Sequence, residues 1–240
     1  MDVPSVRREA RYGIPQADQV IYNRHYITGY SYYFRQAKWA LEIIDPDYTG
    51  LERVDNFRPD YRVPEMFRAD LADYKGYGYD RGHLVASANQ REVKLQNSET
   101  FLLSNMSPQV PGFNRGLWKE LEDATRALNE QEHILETYVI CGPIFHFDEA
   151  TELIGSEDDN GVTLPIPNAY FKSILTENDR GTLDFWSFIL PNERIDRPLK
   201  SFLVPTTKIE QYAGVHLWNR LQGATIARKK RAQRRRMWSY

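Results

Sequence analysis

The apolar positions of this chain fall into two kinds of run. The first kind is short and dense in aromatic and branched residues: VIYNRHYITGYSYYF (20–34), KWALEII (38–44), LETYVICGPIF (135–145), AYFKSILTE (169–177) and LDFWSFILP (183–191). Partial alternation between turn residues predicts strands, the first two paired with each other and the last two likewise. TFLLSN (100–105) predicts one more short apolar strand, and MSPQVPGFNR (106–115) a loop with two prolines. The second kind of run is helical. In GLWKELEDATRALNEQ (116–131), Leu117, Leu121, Ala124 and Leu128 recur at the spacing of one helix face. Two short helices are predicted near the end, in TKIEQYAGVHLWNRL and ATIARKKRAQRRRMW.

Between these runs, residues 45–78 are rich in proline, glycine and aspartate and predict a long irregular connection, a type of segment that often carries function. EDDNG (157–161) predicts a polar loop, and residues 1–19 a loosely attached arm. Strands and helices do not alternate strictly, and no repeat or Ser/Gly-rich linker divides the chain. The expected architecture is one mixed α+β domain over 20–223, followed by a basic segment over 224–240.

Composition changes this picture in two places. The chain has 240 residues, 41% hydrophobic and 27% charged, as in an ordinary globular protein. No apolar run approaches the ~20 residues of a membrane-spanning helix, so no membrane partner is expected. The N-terminus lacks an apolar signal-peptide core; a removed targeting segment is compatible with it, and the compartment stays open. The single cysteine, Cys141, excludes an intramolecular disulfide and argues against a thiolate metal site; it reads as a buried strand residue. The net charge of −2 conceals an asymmetry: residues 220–240 carry eight Lys and Arg and no Asp or Glu, which leaves residues 1–219 at −10. Such a block is either the footprint of a polyanion or a solvated helix that offsets an acidic body. Seven charges within 228–236 leave no apolar helix face, so the segment is expected to stay exposed and to order on a polyanion.

The stretch YDRGHLVASANQR (79–91) places Asp80, Arg81 and His83 within four residues, then turns to small and polar residues. Further on, Asn114, Glu122 and Arg126 recur at spacings that share one side of a helix, away from its leucines. Taken alone, that stripe is better read as a helix cap followed by a surface ion pair, since both are common.

Three blocks, YDRGHL, LLSNMSPQ and FNRGLWKELED, resemble in order and spacing the signature of the DNA/RNA non-specific endonucleases. GPIF, IPNAYFK and FLVPTT resemble later segments of that family, so the resemblance covers roughly residues 20 to 215. The style of TFLLSN and DRGHLVASAN is nearer the endonuclease G branch than the Serratia nuclease branch. The resemblance implies a ββα-metal fold with a central, mainly antiparallel sheet flanked by helices. It also implies an enzyme that hydrolyses DNA and RNA to 5′-phosphate and 3′-hydroxyl ends. His83 would be the general base and Asn114 the one direct protein ligand of Mg²⁺, with Mn²⁺ as a substitute. Glu122 would hold metal-bound water, and Arg81 and Arg126 would grip phosphate. Asp80 and Asn105 would hold the site together. An upstream arginine is implied as well, for which spacing favours Arg53 over Arg58. Phe101 stands where the Serratia enzyme has asparagine.

These roles suit the residue types. Imidazole titrates near neutrality, and a neutral amide oxygen suits a hard cation that keeps its waters. The resemblance further implies a homodimer and admits an inhibitory partner. Two other readings stay open: the nuclease effector domain of a larger death or defence system, and a binding module that has lost its chemistry. Intact His83, Asn114 and Glu122 argue against the latter.

Overall fold

The computed structural model describes residues 7–44, 51–146, 148, 150–155 and 161–240. Its centre is one antiparallel sheet of six strands, ordered β1 (Gln19–Tyr22), β2 (Tyr26–Ser31), β3 (Gln36–Ile43), β6 (Ile134–Ile144), β9 (Ala169–Asn178) and β10 (Leu183–Pro191). A ribbon of β4 (Asp80–His83) and β5 (Met106–Gln109) stands apart from it, as does a small pair, β7 (Leu153–Ile154) with β8 (Leu164–Pro165). The helices are α1 (Lys94–Glu99), α2 (Pro111–Phe113), α3 (Lys119–Asn129), α4 (Thr206–Ala213) and α5 (Ala224–Arg231). Among the described residues, no helix is long and apolar enough to cross a membrane.

Both faces of the sheet are covered, which is why its inner strands read as nearly continuous apolar runs. On β9, Tyr170 and Ile174 join one core with Leu117, just before α3, and with Leu121, Ala124 and Leu128 of α3. Phe171 and Leu175 join the opposite core with Ile209, Leu217 and Trp218. The predicted helix, the β6 strand and the β9–β10 pair are therefore present as expected, and Cys141 is buried.

Several expectations need correction. The run 20–34 is not one strand but a hairpin: Asn23 donates its backbone N–H to Tyr26, and β2 then pairs with β3. TFLLSN is not a strand. Its apolar side chains are buried within a compact turn, where Leu102 makes one bridge to Arg58. The strand is the next segment, Met106–Gln109, which the sequence marks as loop because it contains Pro108. A two-stranded ribbon is all edge, and an edge strand tolerates the missing N–H.

The N-terminal segment is not loosely attached where it is described. Ala10 and Tyr12 are buried in the sheet core, and Trp39 donates to Gln16 O. The basic end is not free either. Lys230 is 6% exposed and donates to Glu210 and to Leu217 O. Arg234 pairs with Asp184, Gln233 donates to Leu203 O, and Trp238 packs edge-on to Trp186 at 5.5 Å. The segment docks because its charges meet acids and carbonyls one by one, a pattern that apolar periodicity does not reveal. EDDNG lies outside the described residues apart from Gly161.

Candidate active site

The β4–β5 ribbon is pinned to the sheet from below. Ser107 shares hydrogen bonds with Gln36 of β3 and Tyr170 of β9, and Tyr170 also donates to Pro108 O at 2.8 Å. Asp80 pairs with Gln109 and His83 with Met106, so the ribbon presents Asp80–His83 as a rigid row. Gly82 is required there: a Cβ would fall 2.1 Å from the buried Gln109 side chain. Just beyond, Asn105 fastens the following turn. Its amide donates to Val85 O and Thr100 O, and its oxygen accepts Val85 N–H.

Facing the ribbon, the helical run begins at Pro111 rather than after Asn114, with proline in the first turn, where its missing N–H costs nothing. It widens into a π turn over Asn114–Trp118, where Gly116 breaks the helical path, and continues as α3. Widened turns of this type recur at functional sites. Trp118 ties the two halves together by donating to His83 O at 3.1 Å.

A cavity of about 270 Å³ lies between ribbon and helix, lined by Arg53, Arg81, His83, Asn114, Glu122 and Arg126 together with Ala86–Ala88, Arg115 and Lys119. Every residue predicted to do chemistry therefore faces one space. Asp80 and Asn105 stand behind it. The Asn114 amide donates to Asp80 Oδ2 at 2.8 Å, so its nitrogen is occupied and its oxygen is left for the cavity. Arg115 braces both Asp80 oxygens, at 2.9 and 2.6 Å. Burial would raise the Asp80 pKa, but the bonds from Arg115 and Asn114 outweigh it and hold the carboxyl below its usual range.

His83 is 9% exposed and packs edge-on between Phe57 at 5.7 Å and Phe101 at 5.0 Å. Its Nε2 has no hydrogen-bond partner among the described residues. Arg81 lies over the Phe57 ring at 4.1 Å and Arg53 over Phe101 at 4.8 Å. Burial first, then the charges of Arg53 and Arg81, push the imidazole down to about 3, so it is neutral near pH 7. Burial raises the Glu122 carboxyl, with Lys172 and then Arg126 opposing the shift. Arg126 does not close the simple surface pair with Glu122. It bonds Asp123 and the Asn89 oxygen, the latter at 2.7 Å.

The donor set is sparse. Among the described residues, no cluster of three His, Cys, Asp or Glu could enclose a cation. One amide oxygen and one carboxylate around an open cavity fit a hard, largely hydrated ion and would hold a soft one poorly.

The DNA/RNA non-specific endonuclease family model matches residues 5–236. The chain belongs to this family. It is 35% identical over 218 residues to mitochondrial endonuclease G of Homo sapiens, covering 86% of this chain and 71% of that protein. Mitochondrial endonuclease G of Caenorhabditis elegans is 32% identical over 235 residues, covering 93% and 76%. The crystal structure of an EndoG/EndoGI complex, described as showing the mechanism of EndoG inhibition, superposes with a TM-score of 0.80 at 31% identity, covering 89% of this chain and 91% of that one. The chain is thus a nuclease of the endonuclease G type, from a family of metal-dependent enzymes acting on nucleic acid.

Sequence reasoning missed Arg115 and Lys119 in the cleft, and Phe57 packed against His83 and Arg81. Arg115 and Lys119 lie in the FNRGLWKELED block, one and five residues beyond Asn114, and both line the cavity. Phe57 gave no signal, because nothing in the irregular 45–78 connection says which aromatic turns inward. Between the two candidate upstream arginines the structure places only Arg53 at the cavity. Arg58 is used in holding Asn56 O and Ser98 O.

Proposed function

We propose that this cleft hydrolyses phosphodiester bonds of both DNA and RNA with Mg²⁺, leaving 5′-phosphate and 3′-hydroxyl ends. The observation that carries the proposal is that the His83 imidazole lines the same cavity as the Asn114 side chain, whose amide nitrogen is already taken by Asp80. When bound, Mg²⁺ offsets charge on the phosphate and on the departing 3′ oxygen. Asn114 would hold it directly, and Glu122 would hold its water.

His83 takes a proton from the attacking water through a ring nitrogen that faces the cavity. Its environment keeps it in the neutral form that can accept one. An incoming phosphate places negative charge beside Arg53 and Arg81, which offsets the cations that depress the imidazole and so strengthens the base. Arg81, Arg53 and Arg126 orient the phosphate through their planar forks. Arg81 and Arg53 are themselves held over aromatic rings, which limits their motion. Ala86, Ser87 and Ala88 leave the wall low enough for a sugar–phosphate backbone to approach. Contacts of this kind position a backbone without reading bases, which fits low sequence specificity. The inhibited EndoG complex among the structural relatives favours control of this cleft by a protein inhibitor as an accompanying reading.

The test is incubation with supercoiled plasmid and with RNA, in Mg²⁺ and in EDTA, with His83→Ala alongside. Cleavage of both substrates in Mg²⁺ alone is expected, with a loss on the order of 10²–10⁴ in the variant. Equal cleavage in EDTA, or by the folded variant, would sink the proposal.

A further inference from the structure

Behind the cleft lies a chain of buried polar side chains that the chemistry above does not use. Its centre is Glu42 on β3, 1% exposed. One Glu42 oxygen accepts the Asn89 amide at 2.9 Å and the other accepts the Gln90 amide at 3.1 Å. The Asn89 oxygen then accepts Arg126 Nη1 at 2.7 Å. On the other branch, the Gln90 oxygen accepts the Gln96 amide at 2.7 Å, and the Gln96 oxygen accepts Val93 N–H at the start of α1. Asn89, Gln90 and Gln96 are all at most 4% exposed.

Direction in such a chain is fixed by what its ends can offer. An ionised carboxylate only accepts, so both neighbouring amides must turn their NH₂ groups toward it. Asn89 then has only its oxygen to present to Arg126, and guanidinium only donates. Were Asn89 turned over, two donors would meet and Arg126 Nη1 would lose its acceptor, leaving Asp123 alone to hold the guanidinium. Burial raises the Glu42 carboxyl to about 7, with Lys172 and then the two amide donors opposing the shift, so it is ionised above neutrality.

We infer that Glu42 is a positioning residue for Arg126, acting through the direction it imposes on the Asn89 amide. The inference rests on the reading of Arg126 as a phosphate-gripping group. It does not require Glu42 to touch substrate. It also explains why a carboxylate is buried on an inner strand of the sheet, where burial of charge is otherwise costly.

The test is a set of variants assayed at pH 8.5, where Glu42 is ionised. Asn89→Ala removes the link to Arg126 and leaves the Gln90 branch intact. It should lower kcat/KM by on the order of ten- to a hundredfold, the range for losing a hydrogen bond to a charged group. Adding Asn89→Ala to Arg126→Ala should cost almost nothing further, because both remove one interaction. Glu42→Met should behave as Asn89→Ala does. The paired change Glu42→Gln with Gln90→Glu moves the carboxylate one step along the chain and leaves Asn89 facing the same way. It should restore kcat/KM to near the parent value.

A crystal structure of the Asn89→Ala protein without substrate gives a readout free of activity: the Arg126 guanidinium should leave its present position. Should Glu42→Met fail to fold, Asn89→Ala and the paired change still decide. Additive losses with Arg126→Ala, or a folded paired variant as impaired as Asn89→Ala, would overturn the inference. If the parent protein cleaves no nucleic acid, the functional reading fails, while an unmoved Arg126 in the variant crystal would overturn the positioning role itself.

Discussion

Replacing His83 with asparagine should make the folded protein more resistant to acid, even as it removes the proposed base. The imidazole is held at about 3 in the folded state by burial and by Arg53 and Arg81, against about 6.5 in an unfolded chain. Between those values the unfolded chain binds a proton that the folded one does not. The stability associated with a neutral His83 is therefore complete above pH 6.5 and is lost as pH falls toward 3. Each pH unit in that window is worth ~1.4 kcal/mol, so going from pH 7 to pH 4 removes about 3 kcal/mol through this one group. That is a large part of the ~5–15 kcal/mol by which a domain is stable. Asparagine carries no such proton.

Urea unfolding followed by tryptophan fluorescence, in EDTA at pH 7 and pH 4, measures the effect for both proteins. Carboxylates that titrate in the same range act alike in the two and cancel in the difference. The stability of His83→Asn relative to the parent should improve by about 3 kcal/mol on going to pH 4. Parallel pH dependences would refute the buried, neutral imidazole and with it the account of how the base is kept ready.

Three further outcomes are expected. Asn114→Ala should require far more Mg²⁺ for half-maximal cleavage, read from a metal titration; an unchanged titration would place the metal elsewhere. Arg53→Ala should raise KM for nucleic acid at little cost in stability, whereas Arg58→Ala should lower the melting temperature and spare KM, since only Arg53 reaches the cavity. Trp238→Ala should destabilise the fold by roughly 2 kcal/mol, less than a fully buried tryptophan. Replacing the exposed Arg231, Arg235 and Arg236 by glutamine should instead leave stability alone and flatten the salt dependence of binding.

The division between what was legible and what was not follows the reach of each signal. Leu117, Leu121, Ala124 and Leu128 announce a helix because burial on one face repeats at helical spacing. The β9 and β10 strands announce themselves because both their faces are covered. Met106–Gln109 does not, since a ribbon fixed by Ser107 and Tyr170 needs no apolar alternation of its own. TFLLSN misleads in the opposite sense: burial imposed by surrounding loops produces an apolar run without a strand. In the site, the DRGH row and the Asn114–Glu122–Arg126 stripe were readable because each lies within one short run of sequence that matches a family block. The pairing of Arg81 with Phe57, the bracing of Asp80 by Arg115 and the reach of Glu42 to Arg126 were not, because they join elements that only the fold brings together. The docking of residues 230–238 was hidden for a related reason: its anchors, Glu210, Asp184 and Trp186, are remote or scattered in sequence.

The bond from Asn114 to Asp80 also fixes which ligand chemistry this position can sustain. By charge alone, an aspartate at 114 would be the stronger partner for a divalent cation. Here it would bring a second carboxylate to about the 2.8 Å now spanned by the amide and Asp80 Oδ2. Two carboxyl groups that close share a proton rather than both ionising, and the protonated one is a poor ligand. Hydrolysis of the Asn114 amide, in which water enters as ammonia leaves and the protein gains a single mass unit, would therefore turn the proposed anchor of the cation against its own support. An ordinary event of chemical ageing would then retire the enzyme while leaving its fold intact.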